Sequence, residues 1–228
     1  MAKLVWDTTG EHYYSTGVSD VILFVQKNDG TYDKGVAWNG VTSIEESPDG
    51  GDANDFYADN IKYLSLRAAE NYGATINAYQ SPEEFDQCDG IASLLTGVKI
   101  GQQVRKPFGL VYKSLLGNDT QGTDYGYELH IIYNATCSPS SKTYETVNDS
   151  PEPAELSWEI ETVPVNVTGF KPTSTIVVNS TQIDSGKLKT LIDTLYGVNA
   201  DSSITPAIEE SDPTLPSPDG IVTLLGGN

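Results

Sequence analysis

The segment FGLVYKSLLGNDTQGTDYGYELHIIY, Phe108–Tyr133, decides the fold class. Two runs dense in apolar, β-branched and aromatic residues, Phe108–Leu116 and Tyr125–Tyr133, flank the polar stretch GNDTQGTD. Apolar runs separated by turn-forming residues read as paired strands. On the second run Tyr127, Leu129, Ile131 and Tyr133 fall to one side, and Glu128, His130 and Ile132 to the other. A repeat of two residues is the signature of a strand with two distinct faces.

The same alternation recurs outward along the chain. In Ala154–Val167, Leu156, Trp158 and Ile160 share one face, and Glu155, Ser157, Glu159 and Glu161 share the other. That predicts a strand with its apolar side on a core and an acidic ladder in water, with Pro164 marking an edge or bulge. Thr173–Ser180 is a further β-branched strand. Asp184–Tyr196 is the one long helix: Asp184 is the N-cap, Leu188, Leu191, Ile192 and Leu195 form a stripe, and Gly197 ends it. Beyond Asn199 the acids, serines and Pro206, Pro213, Pro216 and Pro218 read as a loosely held tail whose final apolar residues dock.

Upstream, Val18–Gln26 is an apolar strand, and Asn28-Asp29-Gly30 turns it into a hairpin that resumes at Lys34. Gly73–Gln80 alternates, with Ala74, Ile76 and Ala78 on one side. Ser81-Pro82-Glu83-Glu84 opens a short helix with Ser81 as N-cap, and Ile91–Lys106 reads as a loop with short extended pieces. Met1–Gly17 is a polar arm carrying Leu4, Val5, Trp6, Tyr13 and Tyr14 as anchors. The organisation is therefore an arm (1–17), a mainly β two-sheet sandwich or barrel flanked by the helix (18–200), and a tail (201–228).

One connection is too long for a compact β domain. In VAWNGVTSIEESPDGGDANDFYADNIKYLSL, Val36–Leu66, strands around Trp38 and Tyr63 bracket a segment with Pro48, Gly50, Gly51, Asp49, Asp52, Asp55 and Asp59. The density of Pro, Gly and Asp predicts an irregular loop at about 46–60. Chain that is disordered for its own sake is poor in aromatics, so Phe56 and Tyr57 read as anchors for another copy of the chain.

The totals narrow the function. The net charge is −19, from 32 acids against 13 bases, and such a surface repels nucleic acid rather than holding it. The first residues show no apolar signal-peptide core, and no run approaches the ~20 apolar residues of a membrane span. Cys88 and Cys137 fit no zinc spacing and read as reduced thiols. The five Asn-X-Ser/Thr triplets, at Asn118, Asn134, Asn148, Asn166 and Asn179, read as chance in an Asn- and Thr-rich chain. His12 and His130 belong to no metal-spaced cluster. The Asp49–Asp59 cluster lacks the order of a calcium loop. Glu159 and Glu161 share a strand face near the ~5–5.5 Å spacing of retaining glycosidases, but nothing marks a sugar cleft. The expectation is a non-enzyme without cofactor or metal.

Several collinear blocks carry a resemblance: KLVWDTTGEHYYSTGV, KGVAWNGVTSIEESPDG, FYADNIKYLSL, YGATINAYQSPEEFDQCDG, RKPFGLVYKSLLGNDTQGTDYGYELHIIYNATCSPS and TVNDSPEPAELSWEIETVPVNVTGFKPTS. From Lys3 to about Leu225 the chain resembles the major tail (tail tube) proteins of long-tailed, siphovirus-type phages, especially those of Gram-positive hosts. The resemblance implies a β-sandwich flanked by a helix, six copies closing into a ring, and rings stacking into a hollow conduit for genome ejection. It implies a tape measure protein and a tail terminator as partners, DNA passing without specific binding, no membrane, and a place in the virion after synthesis in the host cytoplasm. Val36–Leu66 matches the family's inter-ring loop, which makes Asp49, Asp52, Asp55, Phe56 and Tyr57 the candidate stacking residues. Alternation, not motif, makes Glu128, Glu155, Glu159 and Glu161 candidates for the lumen wall, with the outer surface as the opposite outcome. The alternative reading is a β-sandwich binding module for carbohydrate or another surface, using Tyr13, Tyr14 and Tyr79.

Overall fold

The computed structural model describes residues 4–144, 146, 149, 153–201, 203 and 208–226. Asn148, Pro206 and the first three and last two residues, on which some of the expectations above fall, lie outside the described residues. The chain is mainly β, as predicted. Its main sheet is antiparallel and eight-stranded: β1 (Tyr13–Val25), β2 (Val36–Ala37), β3 (Val41–Glu46), β8 (Gly73–Ala78), β11 (Phe108–Asn118), β12 (Gly122–Cys137), β13 (Leu156–Thr162) and β14 (Thr175–Asn179). The order is β2-β1-β11-β12-β13-β8-β3, with β14 also on β12. Three two-stranded ribbons branch from it: β4 (Asp49–Gly50) with β7 (Glu70–Asn71), β5 (Ala53–Ala58) with β6 (Ile61–Arg67), and β9 (Ala92–Leu95) with β10 (Val98–Ile100).

The central strand β12 shares one side between two partners. Glu128–Ile132 pair with β14, and Ala135–Cys137 pair with β13. The changeover falls at Asn134, whose φ is +50, the left-handed region that Asn tolerates better than most residues. There β12 carries one residue more than β11, since Leu110 faces Ile132 but Phe108 faces Ala135. Such a bulge reverses the parity of the side chains. Ile132, Ala135 and Cys137 therefore all enter the same core.

Two cores lie on opposite faces of β1, β11 and β12. The first holds Leu23, Leu110, Ile132, Ile76, Trp158 and Ile160, closed by Trp38 and by Phe85 on a 3₁₀ turn (Glu83–Gln87). Trp38, at one end of the strand order, stacks edge-on to Trp158 of β13 at 5.5 Å, and Phe85 meets both rings at 4.5 and 5.3 Å. The sheet is thus curled around this core. The second core lies between the other face and two helices, α1 (Ser185–Tyr196) and α2 (Pro218–Leu224), and joins Phe24, Leu129, Ile131 and Tyr133 to Leu188, Leu191 and Ile221. Each fully buried Leu there contributes roughly 1.5–3 kcal/mol.

Helix α1 follows the sequence reading. The Asp184 carboxylate accepts from the backbone N–H of Gly186 at 3.0 Å and Lys187 at 3.2 Å, and Gly197 takes φ +75. Other readings are corrected. Tyr13–Gly17, read as the end of an arm, already belong to β1. The short helix begins after Pro82 rather than Ser81, is 3₁₀, and has no side-chain cap. Ile91–Lys106 does hold short extended pieces, as read, and β9 and β10 pair there as a hairpin. The tail is not loose where it is described: Ser217 caps α2 by accepting from Gly220 N–H at 3.2 Å, and Leu215 and Ile221 are buried.

Candidate assembly surfaces

The segment expected to be an irregular loop is a hairpin. Asp59 and Asn60 both take positive φ, +50 and +62. Two consecutive residues in that region make the type I′ turn whose twist suits a two-residue hairpin. From this tip β5 and β6 pair from Ala58↔Ile61 back to Ala53↔Arg67. At its root β4 pairs with β7, and Ser47 N–H donates to the Gly73 carbonyl at 2.8 Å. Gly50 is required there: it takes φ +89, and a Cβ would sit 2.6 Å from the Ala69 carbonyl oxygen. Ten residues of extended chain, 49–58, reach roughly 34 Å.

The ribbon has a polar and an apolar face. Phe56 faces Leu64 and Asn54 faces Leu66, whereas Asp55 faces Ser65 and Tyr57 faces Lys62. Asp55 accepts from Lys62 Nζ at 2.7 Å, and the hydrogen bonds from Lys62 and then Ser65 hold its carboxyl below the usual value. No residue of β5 or β6 is buried. Phe56 is 50% exposed, Tyr57 71%, Tyr63 70% and Leu66 58%. The strand expected around Tyr63 therefore exists, and among the described residues it pairs with β5 but buries no residue. A lone ribbon is marginal in water, and apolar residues clustered on one exposed face mark a contact site. Of the predicted stacking residues, Asp55, Phe56 and Tyr57 lie on the ribbon, Asp49 at its root and Asp52 between. Sequence reasoning missed Leu64 and Leu66. Further exposed apolar groups are Leu4, Val5 and Trp6 before β1, and Leu94, Leu95 and Val98 on the β9–β10 hairpin.

The acidic residues divide. Glu159 and Glu161 are exposed on the face of β13 that points away from the first core, and Glu155 precedes them with its Oε1 accepting from Thr42 at 2.5 Å. Glu45 of β3, not singled out from sequence, joins this face, since Glu45 faces Thr75 and Thr75 faces Glu159. The next row is Ser43, Asn77 and Ser157. Strands β3, β8 and β13 contain no Lys or Arg. Glu45 and Glu159 stand two strands apart, ~10 Å, where their repulsion in water is only about 0.4 kcal/mol, so the face accumulates charge without destabilising the sheet. Glu128 is not part of it. It lies on the same side as Ile132, toward the first core, and accepts from Asn179 Nδ2 at 3.3 Å. The separation arises from the extra residue at Asn134, which reverses side-chain parity along β12, so that Thr136, opposite Glu161, faces away from the side that carries Glu128.

Several strand edges of the main sheet are open among the described residues, that of β14, which pairs only with β12, included. β3 pairs only with β8, and β1 from Tyr13 to Ser19 pairs only with β11. Of the tyrosines considered for carbohydrate, Tyr13 packs on Tyr125 at 5.3 Å, and the Tyr14 ring lies against Gly117, where a Cβ would approach it to 2.3 Å. Tyr79 is exposed beyond β8. His130 is half-buried on the first-core side of β12. No helix of the described residues is long and apolar enough to cross a membrane.

No protein-family model and no curated protein matches the chain. Among solved structures it is similar to a chain from the cryo-EM structure of the anti-feeding prophage (AFP) baseplate, 6-fold symmetrised. The TM-score is 0.37 and the identity 9%, over 77% of this chain and 97% of that one. A likeness of that degree does not bear on the role of any residue.

Proposed function

We propose that this chain is a structural subunit of a phage tail tube, which closes with copies of itself into rings that stack into a hollow conduit for DNA. One observation carries the reading: an amphipathic ribbon stands out from the sheet with Phe56, Leu64 and Leu66 exposed on one face among the described residues. The open edges of β1 and β3 supply the lateral contact. A head-to-tail interface makes a ring when its rotation closes, and ring closure removes the exposed edges that otherwise template aggregation. The ribbon supplies the axial contact. The acidic, base-free face of β3, β8 and β13 supplies a wall that repels a polyanion and leaves it mobile. The sequence blocks that resemble tail tube proteins support six copies per ring, with a tape measure protein and a tail terminator as partners in the virion.

Negative-stain electron microscopy of the purified chain tests this. The expected images are rings and tubes of uniform width. A species that stays monomeric at high concentration overturns the reading.

A further inference from the structure

We propose that the apolar face of the β5–β6 ribbon docks on the β9–β10 hairpin of a second copy, so that one chain carries both halves of the axial contact. The inference rests on the ribbon being that contact, and it names the surface that receives it.

Topology puts the two elements at opposite ends of the main sheet. The ribbon leaves where β3 ends and β8 begins, the end marked by Ser47 N–H donating to the Gly73 carbonyl. From there β8 crosses the sheet, its six residues covering roughly 20 Å. Its last residue, Ala78, lies opposite Leu156, the first of β13. The 3₁₀ turn and then the β9–β10 hairpin follow at this far end, where β12 finishes at Cys137 and β11 begins at Phe108. A contact between two different ends of identical chains repeats head to tail without limit, as stacking requires. A ribbon docked on another ribbon would stop at a pair.

The hairpin offers a held apolar surface. Leu94 and Leu95 are more than half exposed, and Val98, paired with Leu95, is exposed beside them. Lys99 pairs with Asp86 of the 3₁₀ turn, Gln103 N–H donates to the Gly90 carbonyl at 2.9 Å, and Arg105 Nη1 donates to the Cys137 carbonyl at 2.9 Å. A surface fixed in this way loses little freedom when it is covered.

Charge selects the same surface. The ribbon and its root, residues 49–71, carry Asp49, Asp52, Asp55, Asp59 and Glu70 against Lys62 and Arg67. In a chain of net charge −19, most surfaces repel such a segment. From Gly90 to Asn118, however, there is no acid, and there are four bases, Lys99, Arg105, Lys106 and Lys113. The Lys106 ammonium donates to the neutral Gln87 side chain at 2.9 Å and forms no ion pair among the described residues. Two ribbons that approach from opposite directions overlap tip to root, which brings Asp59 at the ribbon's tip toward Lys106 at the hairpin's root. The exposed Leu4, Val5 and Trp6 are instead followed by Asp7 and Glu11. A contact of two short hairpins is weak singly, and a ring presents several at once, so each after the first forms at high effective concentration.

Cross-linking of the full chain tests the docking. Asn54→Cys puts a thiol on the ribbon's apolar side, opposite Leu66, and Thr96→Cys puts one at the hairpin's turn, both at exposed residues. Neither removes an apolar side chain, and Cys88 and Cys137 are buried. The two variants are mixed in equal amounts, concentrated, and treated with a short bis-maleimide, and the joined peptides are identified by mass spectrometry. The expected product is the mixed dimer linked from 54 to 96. Leu94→Ser with Val98→Ser, at exposed positions, should lower its yield about tenfold and leave the melting temperature unchanged. Absence of the mixed dimer, a predominance of dimers linked 54 to 54 or 96 to 96, or a yield that the two serines leave unchanged overturns the docking. Tubes that give no mixed dimer would overturn the docking and leave the tail tube reading standing. The mixed dimer in a chain that forms open strings and never tubes would do the reverse.

Discussion

At the scale of single residues, a few backbone conformations decide what the chain can present. Asn134 is one: its positive φ inserts the extra residue that sends Ile132 and Ala135 into one core and hands β12 from β14 to β13. The same extra residue separates Glu128 from Glu159 and Glu161, by reversing side-chain parity along β12. Strand alternation within each segment was legible in sequence, but the relation between two strands depends on a bulge that no local pattern announces. Gly50 is another. Any side chain there must tolerate φ +89 and an approach of 2.6 Å to the Ala69 carbonyl. Gly50→Ala is expected to cost the ribbon's root about 1–3 kcal/mol. Because the ribbon adds nothing to either core, the penalty is local. Amide exchange at Gly51 and Ala68 should accelerate, while the melting temperature of the whole chain stays within about 2 °C. A large fall in melting temperature would show that the ribbon and the main sheet unfold together.

At the scale of elements, legibility tracks how many independent signals a segment carries. Helix α1 announced itself three times, through Asp184, the leucine stripe and Gly197. β13 did so through strict alternation ending in Trp158 and Ile160. The ribbon was misread because the residues that build its ends, Asp49, Gly50, Asp59 and Asn60, also signal loops. The discriminating feature was the pair Asp59-Asn60 set between Phe56-Tyr57 and Ile61-Lys62, two turn residues between two runs able to form strands. Helix α2 was hidden the same way, since Ser217-Pro218-Asp219 is a helix start as well as a loop composition. The ribbon's apolar face gives the prediction at this scale. Phe56→Ser with Leu64→Ser removes two exposed side chains that touch no core, so folding stability should change by less than about 0.5 kcal/mol. Stacking of rings should fail. Sedimentation should then find single rings in place of long tubes. Long tubes from this variant would move the axial contact elsewhere, to Leu94, Leu95 and Val98 or to the residues before β1.

For the whole molecule, the proposed tube predicts that the acidic face of β3, β8 and β13 points into the conduit. Helix α1 packs over β11, β12 and β14, and among the described residues it does not extend over β3, β8 and β13, whose Glu45, Glu159 and Glu161 are exposed on that side. The two natural cysteines make the direction measurable. Cys88 and Cys137 are fully buried, and burial pushes both thiols up to about 12, so neither supplies thiolate at neutral pH. A cysteine placed on the surface is then the one reactive thiol. Glu159→Cys puts it on the acidic face, and Lys189→Cys puts it on α1, where the native side chain is 69% exposed. In unassembled chains both should react equally fast with a small maleimide and with a maleimide on a bulky polymer. In tubes the Lys189→Cys thiol should take either reagent. The Glu159→Cys thiol should take the small one and exclude the polymer, because a reagent as wide as the conduit must enter from the ends. Equal polymer labelling at the two positions in intact tubes would put the acids on the outside, where they serve solubility, and would leave the conduit to be lined by another face.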